Sequence, residues 1–246
     1  MASDHTPDAP HDEQQLHRSI RYQDYLGEFV YGGIDGSVTT FAVVAGSAGA
    51  GLDISVVLIL GFANLLADGF SMSVGAYLST KSEIAAYEKH RRTEYEEVEE
   101  VPQAEVEEIR EIYRAKGFEG ELLEQVVAVI TADKDRWVDV MMKEELEMIP
   151  ERRSPLAIGG VTYLSFIVVG IIPLLSYVFV GGAAPARLFL LSCLFTSLAF
   201  GVVGWFKARV TGASVLRGIG ETLLLGGAAA AVAYFVGDLL ERVIVG

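Results

Sequence analysis

Five long apolar stretches constrain this chain more than any other feature of its sequence. They cover approximately Phe29–Ala50, Ile54–Ser79, Leu156–Val180, Ala186–Phe206 and Gly220–Val245. A helix of about 20 residues spans the roughly 30 Å hydrocarbon core of a bilayer. Hydrophobic residues make up 51% of the 246 residues, which is typical of a membrane protein rather than of an acidic soluble one. The sequence therefore predicts an all-α polytopic membrane protein with five transmembrane helices.

Small side chains are frequent in these stretches, for example in residues 45–50 and 226–231. They let helices approach closely in lipid, where van der Waals packing drives helix association. Pro173 interrupts the third stretch and predicts a kink, because proline cannot donate the helical hydrogen bond. We expect tight hairpins at residues 51–53 and 181–185.

An insert rich in glutamate separates the second and third stretches. Residues 83–151 contain 21 of the 33 acidic residues and 9 of the 19 basic ones, so this segment carries −12 of the total formal charge of −14. Such a charge argues against nucleic acid, which binds clustered Lys and Arg. We predict a disordered polar tail at residues 1–24, transmembrane helices at 25–80, an acidic helical domain at 81–153 and transmembrane helices at 154–246.

The acidic insert is itself predicted to be helical. Its first helix continues from the second apolar stretch to Glu100, since no helix breaker occurs before Pro102. Three further helices are predicted over Gln103–Lys116, Leu122–Ala132 and Trp137–Met148. Apolar residues of the insert are expected to form a small core: Val98, Ile109, Leu123, Val127, Ile130 and Leu146.

Lysine and arginine residues near the apolar stretches predict the orientation, because they accumulate on the cytoplasmic side. They precede the first stretch, flank the acidic insert and occupy the 207–217 link: Arg18, Arg21, Lys81, Lys89, Arg91, Arg92, Arg152, Arg153, Lys207, Arg209 and Arg217. In the two links on the opposite side, the only basic residue is Arg187. We therefore predict that the N-terminus, the acidic domain and the 207–217 loop are cytoplasmic and that the C-terminus lies outside.

Polar residues lie within the predicted spans, where ionisable groups are costly and commonly functional. Asp35 lies in the first stretch, whereas Asn64, Asp68 and Met72 recur at i, i+4 and i+8 in the second and share one helix face. Oxygen ligands beside a thioether suit Fe²⁺ or Mn²⁺ better than Mg²⁺ or Ca²⁺. We interpret these four residues as a translocation pathway for a cation. The alternatives are a helix cap at Asp35, helix–helix hydrogen bonds at Asn64 and Asp68, and simple packing at Met72.

Glutamates of the insert occur in i, i+3 pairs, namely Glu94 with Glu97 and Glu105 with Glu108. Each pair projects from one helix face, and like charges at that spacing repel unless a cation lies between them. The last predicted helix adds Asp139, Met141, Met142, Glu144 and Glu145. We interpret the paired sets as metal-binding groups, and the alternative is a solvated acidic face.

Several other functions find no support in the sequence. It contains no phosphate-binding Gly-x-x-x-x-Gly-Lys loop, so transport would be secondary and driven by an ion gradient. The single cysteine, Cys193, excludes a disulfide and a cysteine-based metal site. A di-iron oxidase needs Glu-x-x-His on two helices, but Tyr87 stands three residues before His90, the one histidine outside the tail. We expect neither an enzyme nor an organic cofactor.

Several sequence blocks resemble the vacuolar iron transporter family. They are Tyr31–Gly36, Ala63–Ser79 and Lys81–Glu83, followed by Gly170–Leu174, Gly204–Lys207 and Thr211–Gly212. The resemblance extends from about residue 25 to the end of the chain. It implies a five-span homodimer that exports Fe²⁺, and often Mn²⁺, from the cytosol in exchange for protons. The membrane would be the plasma membrane in a prokaryote and the vacuolar membrane in a eukaryote.

The same resemblance implies roles for individual residues. Asp35 and Met72 match pathway residues near the dimer axis. The ligands of a cytoplasmic metal-binding domain, inserted between transmembrane helices 2 and 3, would be Glu94, Glu97, Glu105, Glu108, Asp139, Met142 and Glu145. Two positions depart from the family pattern, since Asn64 and Asp139 each stand where members have glutamate. An amide cannot titrate, so we hypothesise that Asp68, one turn after Asn64, carries the proton instead.

The sequence thus predicts transport of Fe²⁺, and of Mn²⁺, out of the cytosol by proton antiport, with capture of the ion by the carboxylate-rich domain. One rival is a membrane-tethered metal buffer or sensor without transport, in which the spans are only an anchor. Another is a structural membrane protein with a solvating acidic domain. Asp35 and Asp68 weigh against both rivals, because an anchor needs neither. Zn²⁺ and Co²⁺ remain open as alternative cargoes.

Overall fold

The computed structural model describes residues 25–180 and 183–244, so the polar tail predicted for residues 1–24 lies outside the described residues. Within the described ranges every regular element is a helix. The α-helices are α1 (Leu26–Gly49), α2 (Ile54–Glu100), α3 (Pro102–Ala115), α4 (Gly120–Thr131), α5 (Lys134–Glu144), α6 (Pro155–Gly170), α7 (Leu175–Phe179), α8 (Pro185–Thr211) and α9 (Val215–Ile244).

Five helical segments in the described ranges are long and apolar enough to cross a membrane. They are Leu26–Gly49, Ile54–Glu100, Pro155–Phe179, Pro185–Thr211 and Val215–Ile244. The prediction of five spans is therefore confirmed. The third span contains α6, a 3₁₀ turn at Ile172–Leu174, and α7. Pro173 lies in that turn, so the predicted interruption is confirmed as well.

The described residues form two compact units. The membrane unit contains the described residues up to Tyr77 and those from Pro155 onward, and the acidic unit contains Leu78–Ser154. As predicted, α2 continues without a break as far as Glu100 and contributes residues to both units.

Close backbone contacts hold the membrane unit together, and they require glycine. A Cβ atom added to Gly36 of α1 would lie 2.4 Å from the carbonyl oxygen of Phe166 in α6. A Cβ atom on Gly237 of α9 would lie 2.0 Å from the carbonyl oxygen of Gly46 in α1. Both distances are far below van der Waals contact, so the small residues of these spans allow the close approach expected in lipid.

The acidic unit has a conventional hydrophobic core. Its buried residues are Tyr87, Val98, Ile109, Leu123, Val127, Ile130, Trp137, Val138, Met141 and Met142, and Leu146 packs against them. All six apolar residues predicted for this core therefore contribute to it. The core joins the end of α2 to α3, α4 and α5, and so fixes where their polar side chains point.

The predicted range of the last helix, Trp137–Met148, is wrong at both ends. The helix begins at Lys134, because the Asp133 side chain accepts a hydrogen bond of 2.8 Å from the backbone N–H of Arg136 and caps it. It ends at Glu144, and Glu147, three residues later, adopts a positive φ of 52°. The backbone N–H of Met148 then donates to the carbonyl of Met142 at 2.8 Å, which closes a turn instead of continuing the helix.

Candidate functional site

Two glutamates lie in the interior of the acidic unit. Glu94 of α2 and Glu105 of α3 are each only 4% exposed. In each, the Oε2 atom is buried and has no hydrogen-bond partner among the described residues. A buried carboxylate without a partner is unfavourable, because it loses hydration without gaining a replacement. Such a group indicates a ligand more strongly than an exposed glutamate does.

The pKa values of these glutamates are raised by burial and by neighbouring carboxylates. Burial is the largest cause for Glu94, followed by the charges of Glu145, Glu97 and Glu108, and its pKa rises to about 7. The pKa of Glu105 also rises to about 7, through burial and then the charges of Glu108, Glu94, Glu97 and Glu145. Burial, Glu108 and Glu97 likewise raise the pKa of Glu145.

Five glutamates therefore form one electrostatically coupled group, which we call the carboxylate cluster: Glu94, Glu97, Glu105, Glu108 and Glu145. They come from α2, α3 and the residue that follows α5. All five were predicted as metal ligands, and the fold brings their charges together. A shared cation would relieve their repulsion.

Several other acidic residues of this unit form ion pairs. Salt bridges join Glu99 to Lys134, Glu107 and Glu124 to Arg110, and Glu144 to Lys116. No member of the carboxylate cluster forms a salt bridge with a described residue. The alternative interpretation, a solvated acidic face, therefore fits these salt-bridged glutamates better than it fits the carboxylate cluster.

The two remaining predicted ligands, Met142 and Asp139, differ from the carboxylate cluster in their surroundings. Met142 of α5 is fully buried in the hydrophobic core, as is its neighbour Met141. Asp139 is exposed, and its charge acts on the pKa of Arg91 rather than on those of the buried glutamates. The structure therefore does not join Asp139 to the carboxylate cluster.

The carboxylates of the cluster do not converge on a single point. Within residues 25–180 and 183–244, no three His, Cys, Asp or Glu side chains are placed to hold one metal ion together. The cluster is therefore a group of coupled carboxylates rather than a preformed ligand cage.

In the membrane unit, Asp35 is half-buried in the middle part of α1. It lies ten residues after the N-cap position Tyr25, so the structure excludes the helix-cap alternative for Asp35. Its backbone carbonyl accepts a 2.8 Å hydrogen bond from the Thr39 hydroxyl. The glycine contact at Gly36 sets the adjacent turn of α1 directly against α6.

The predicted pathway residues of α2 differ in exposure. Asp68 is exposed, as are the apolar side chains of Leu66 and Phe70, two residues before and two residues after it. Asn64 is half-buried, and its Nδ2 atom has no hydrogen-bond partner in the described part of the chain. Met72 packs against an apolar cluster that contains buried residues of both α2 and α6.

The negative charge of Asp68 in α2 acts on the carboxyl group of Asp35 in α1. Within the residues that the structure describes, neither aspartate side chain forms a salt bridge. A carboxylate on an apolar membrane-facing surface is unfavourable unless another group or an ion covers it.

Sequence reasoning did not foresee which glutamates are buried. The available signal was helical spacing, since Glu94 lies four residues before Val98, and Glu105 lies four residues before Ile109. Each glutamate thus occupies the same helix face as a core residue. The i, i+3 spacing alone does not distinguish buried glutamates from exposed ones.

Comparison with known proteins gives the family. A model of the VIT family matches residues 26–238. The vacuolar iron transporter of Toxoplasma gondii is 35% identical over 229 residues, covering 90% of this chain and 76% of that protein. Vacuolar iron transporter 1 of Tulipa gesneriana is 33% identical, and the match covers 89% of each chain. Vacuolar iron transporter 1 of Arabidopsis thaliana is 32% identical, and the match covers 89% of this chain and 87% of that protein.

These relatives are named as transporters, not as enzymes. With five apolar helices, the chain is a multi-pass integral membrane protein. The match extends over nearly the whole chain, including both units, and it confirms the family resemblance of the sequence blocks. The chain belongs to the VIT family.

Proposed function

We propose that this protein transports Fe²⁺, and also Mn²⁺, out of the cytosol across a membrane in exchange for protons. The observation that carries the proposal is the pair of buried, unpartnered glutamates, Glu94 and Glu105, within the carboxylate cluster. Membership of a family whose relatives are named vacuolar iron transporters supports iron as the cargo. The transported ion is then the missing partner of these glutamates.

Capture of the ion is the role of the acidic unit. The surplus negative charge raises the local concentration of cations. Oxygen atoms of Glu94, Glu97, Glu105, Glu108 and Glu145 bind the ion, and the entering charge removes their mutual repulsion. The thioether of Met142 is a softer ligand that favours Fe²⁺ over Ca²⁺ or Mg²⁺. Asp139, on the exposed face of α5, adds to the negative charge that attracts cations, and it does not bind the ion together with the cluster.

Passage through the membrane uses the polar residues of α1 and α2. Asp35 and Asp68 form a pair of carboxylates whose charges interact, and a cation between them neutralises both. Asn64 supplies an amide oxygen, and Met72 a thioether, on the same face of α2 as Asp68. Because Asn64 cannot titrate, Asp68 carries the returning proton.

A second copy of the chain completes the pathway. Asp68 is exposed on α2, a helix that also exposes the apolar side chains of Leu66 and Phe70. A homodimer that buries these side chains places two copies of the aspartate pair about one axis and shields them from lipid. The dimer therefore supplies the cover that a membrane carboxylate needs.

The direction of transport follows from the distribution of charged residues. Lysine and arginine residues flank the acidic unit and occur in the 207–217 link, and this distribution supports a cytoplasmic position for both segments. Capture by the acidic unit then takes place in the cytosol, and the ion leaves on the opposite side.

The test is uptake of Fe²⁺ and Mn²⁺ into proteoliposomes that contain the purified full-length chain, under an imposed pH gradient. We expect flux that requires the gradient and is lost in Asp35→Asn. The double variant Glu94→Gln/Glu105→Gln should weaken metal binding and slow uptake at low metal concentration. Glu111→Gln, which changes an exposed glutamate on the same helix as Glu105, is the matched control and should behave as wild type.

A membrane-tethered metal buffer or sensor is the second candidate function. The observation that favours it is the separate hydrophobic core of the acidic unit, which forms a compact unit of its own. Under this alternative, the protein binds Mn²⁺ through the carboxylate cluster, yet vesicles show no flux with or without the gradient. Gradient-dependent flux that disappears in Asp35→Asn excludes the buffer.

A further inference from the structure

An open apolar groove lies on the surface of the membrane unit, between α1, the 3₁₀ turn and α8. Its volume is about 430 Å³, and every side chain that lines it is apolar. Val169, Ala199 and Val203 are buried and form its floor, whereas Leu198 and Val202 are exposed along its rim. A groove of this kind on a membrane-spanning surface is open to the acyl chains of lipids.

The groove follows one stripe of α8. Its lining residues recur at spacings of three and four: Phe195, Leu198, Ala199, Val202, Val203 and Phe206. From Phe195 to Phe206 the helix rises about 16 Å at 1.5 Å per residue, which is close to half of the roughly 30 Å hydrocarbon core. The next position on the same stripe, three residues after Phe206, is Arg209. The stripe thus spans one leaflet and ends in a cation.

A chain of ring contacts connects Arg209 to the groove. The Arg209 guanidinium lies 5.4 Å from the centre of the Trp205 ring, and Trp205 packs edge-to-face on Phe206 with ring centres 4.9 Å apart. Phe206 in turn packs on Phe29, the α1 residue at the same end of the groove, at 6.5 Å. Tryptophan is typical of the depth at which lipid headgroups meet the acyl chains.

Arg209 differs from the other basic residues at this end of the membrane unit. Lys207 and Arg217 both donate hydrogen bonds to Glu221, at 3.0 and 3.1 Å. In the described ranges, no carboxylate lies within salt-bridge distance of Arg209. Its positive charge is therefore available to an anion from outside the chain.

We propose that the groove and Arg209 form a binding site for an anionic phospholipid. One acyl chain occupies the groove, and the headgroup phosphate accepts hydrogen bonds from the Arg209 guanidinium, whose planar donors match phosphate oxygens. Charge complementarity and the length of the groove favour this occupant over a second copy of the chain. The inference does not depend on ion transport.

The chain carries its own reporter for this site. It contains two tryptophans, Trp205 at the end of the groove and Trp137 in the acidic unit. The full-length protein is reconstituted in phosphatidylcholine vesicles with increasing amounts of phosphatidylglycerol brominated near the headgroup, since bromine quenches nearby tryptophan fluorescence. Brominated phosphatidylcholine is the lipid control, and the variant Trp205→Phe measures the background from Trp137.

We expect brominated phosphatidylglycerol to reach half-maximal quenching of Trp205 at a mole fraction roughly fivefold lower than brominated phosphatidylcholine, from the attraction between one arginine and an anionic lipid. Arg209→Gln should remove this preference. Arg187→Gln, which changes an exposed arginine at the other end of α8, should retain it. In the wild-type protein, high salt should reduce the preference, because salt screens the attraction.

Three outcomes would overturn the proposal. Equal quenching by the two lipids in wild type means an ordinary, unselective lipid contact. An anionic preference that survives in Arg209→Gln places the site elsewhere. Absence of quenching by either lipid means that protein, such as a second copy of the chain, covers this end of the groove.

A second variant tests the groove itself. Ala199→Leu, which fills the floor of the groove, should weaken quenching by phosphatidylglycerol even with Arg209 intact.

Discussion

The membrane unit and the acidic unit are both helical, but their helices pack in different ways. The membrane unit joins its helices through glycine contacts such as Gly36 against Phe166, and it leaves the carboxylate of Asp68 exposed on a membrane-spanning helix. The acidic unit packs large side chains around Ile109 and buries Glu94 against the same core. Each unit therefore contains a carboxylate in an unfavourable environment: Asp68 is exposed on a membrane-spanning helix, and Glu94 is buried in a protein interior.

The difference teaches what each carboxylate lacks. A carboxylate on a surface of the membrane unit needs a cover from outside the chain, which we assign to a second copy. A carboxylate inside the acidic unit needs a positive charge, which we assign to the cargo. In both units the site is recognised by an uncompensated charge rather than by a preformed ligand cage.

The largest expected effect is in the membrane unit. Asp68→Asn should abolish gradient-driven Mn²⁺ flux, because the amide cannot exchange a proton, whereas Mn²⁺ binding by the acidic unit should persist. Flux into proteoliposomes and calorimetric binding measure the two properties separately. Asp53→Asn, at an exposed aspartate before α2, is the control. Unchanged flux in Asp68→Asn removes Asp68 from the mechanism.

A larger side chain at a close glycine contact should destabilise the membrane unit. Gly36→Val places a side chain where a Cβ atom already lies 2.4 Å from a backbone oxygen. We expect a loss of about 1–3 kcal/mol of stability, as for other overpacked interiors. Thermal unfolding in detergent measures it. Gly201→Ala, on α8 with open space around the glycine, should not lower the melting temperature. Equal melting temperatures for both variants would contradict the close-contact interpretation.

In the acidic unit we expect stability to depend on pH. Folding raises the pKa of Glu94 and of Glu105 from 4.5 to about 7, so the folded state binds protons more tightly than the unfolded state. Their protonation therefore stabilises the fold fully below pH 4.5, and this contribution is lost as the pH rises through 7. The urea midpoint, followed through Trp137 in a Trp205→Phe background, should be lower at pH 8 than at pH 6.

Two additions sharpen this prediction. Glu94→Gln should reduce the difference between pH 6 and pH 8, because the amide does not ionise. Mn²⁺ at pH 8 should restore stability, because a bound cation replaces the missing protons. Without metal, the same urea midpoint at pH 6 and pH 8 would contradict the raised pKa values of Glu94 and Glu105.

The smallest effect concerns Met142. It is fully buried in the core, so Met142→Leu should change the stability by less than about 1.5 kcal/mol, as volume-conserving changes do. If its sulfur is a ligand, the variant should bind Fe²⁺ more weakly while its affinity for Mg²⁺ stays the same. Anaerobic titration of both ions measures this, and equal loss for both ions assigns Met142 a packing role only.

The sequence predicted some features well because their causes are local. Apolar runs of about 20 residues define spans without knowledge of their neighbours, and Pro173 breaks a helix wherever it lies. The core of the acidic unit was also predictable, since Ile109 and Val127 recur at helical spacing on their own helices.

Other features depended on contacts between elements. The end of α5 at Glu144 reflects a turn closed by Met148 on Met142, for which the preceding residues carry no breaker. Asp35 was open to interpretation as a helix cap until α1 was seen to begin at Leu26. Asp139 and Glu145 looked equivalent in sequence, yet their charges act on different partners, Arg91 and the cluster respectively.

By itself, the sequence determined that the chain is a membrane protein with an acidic helical insert, and its blocks determined the family, because hydrophobic length, charge and motif are properties of neighbouring residues. The tertiary structure alone decided that Glu94 and Glu105 are buried without partners while Glu99 and Glu107 are paired at the surface. The physical reason is that burial and electrostatic coupling depend on which helix faces meet, and residues distant in the chain decide which faces these are.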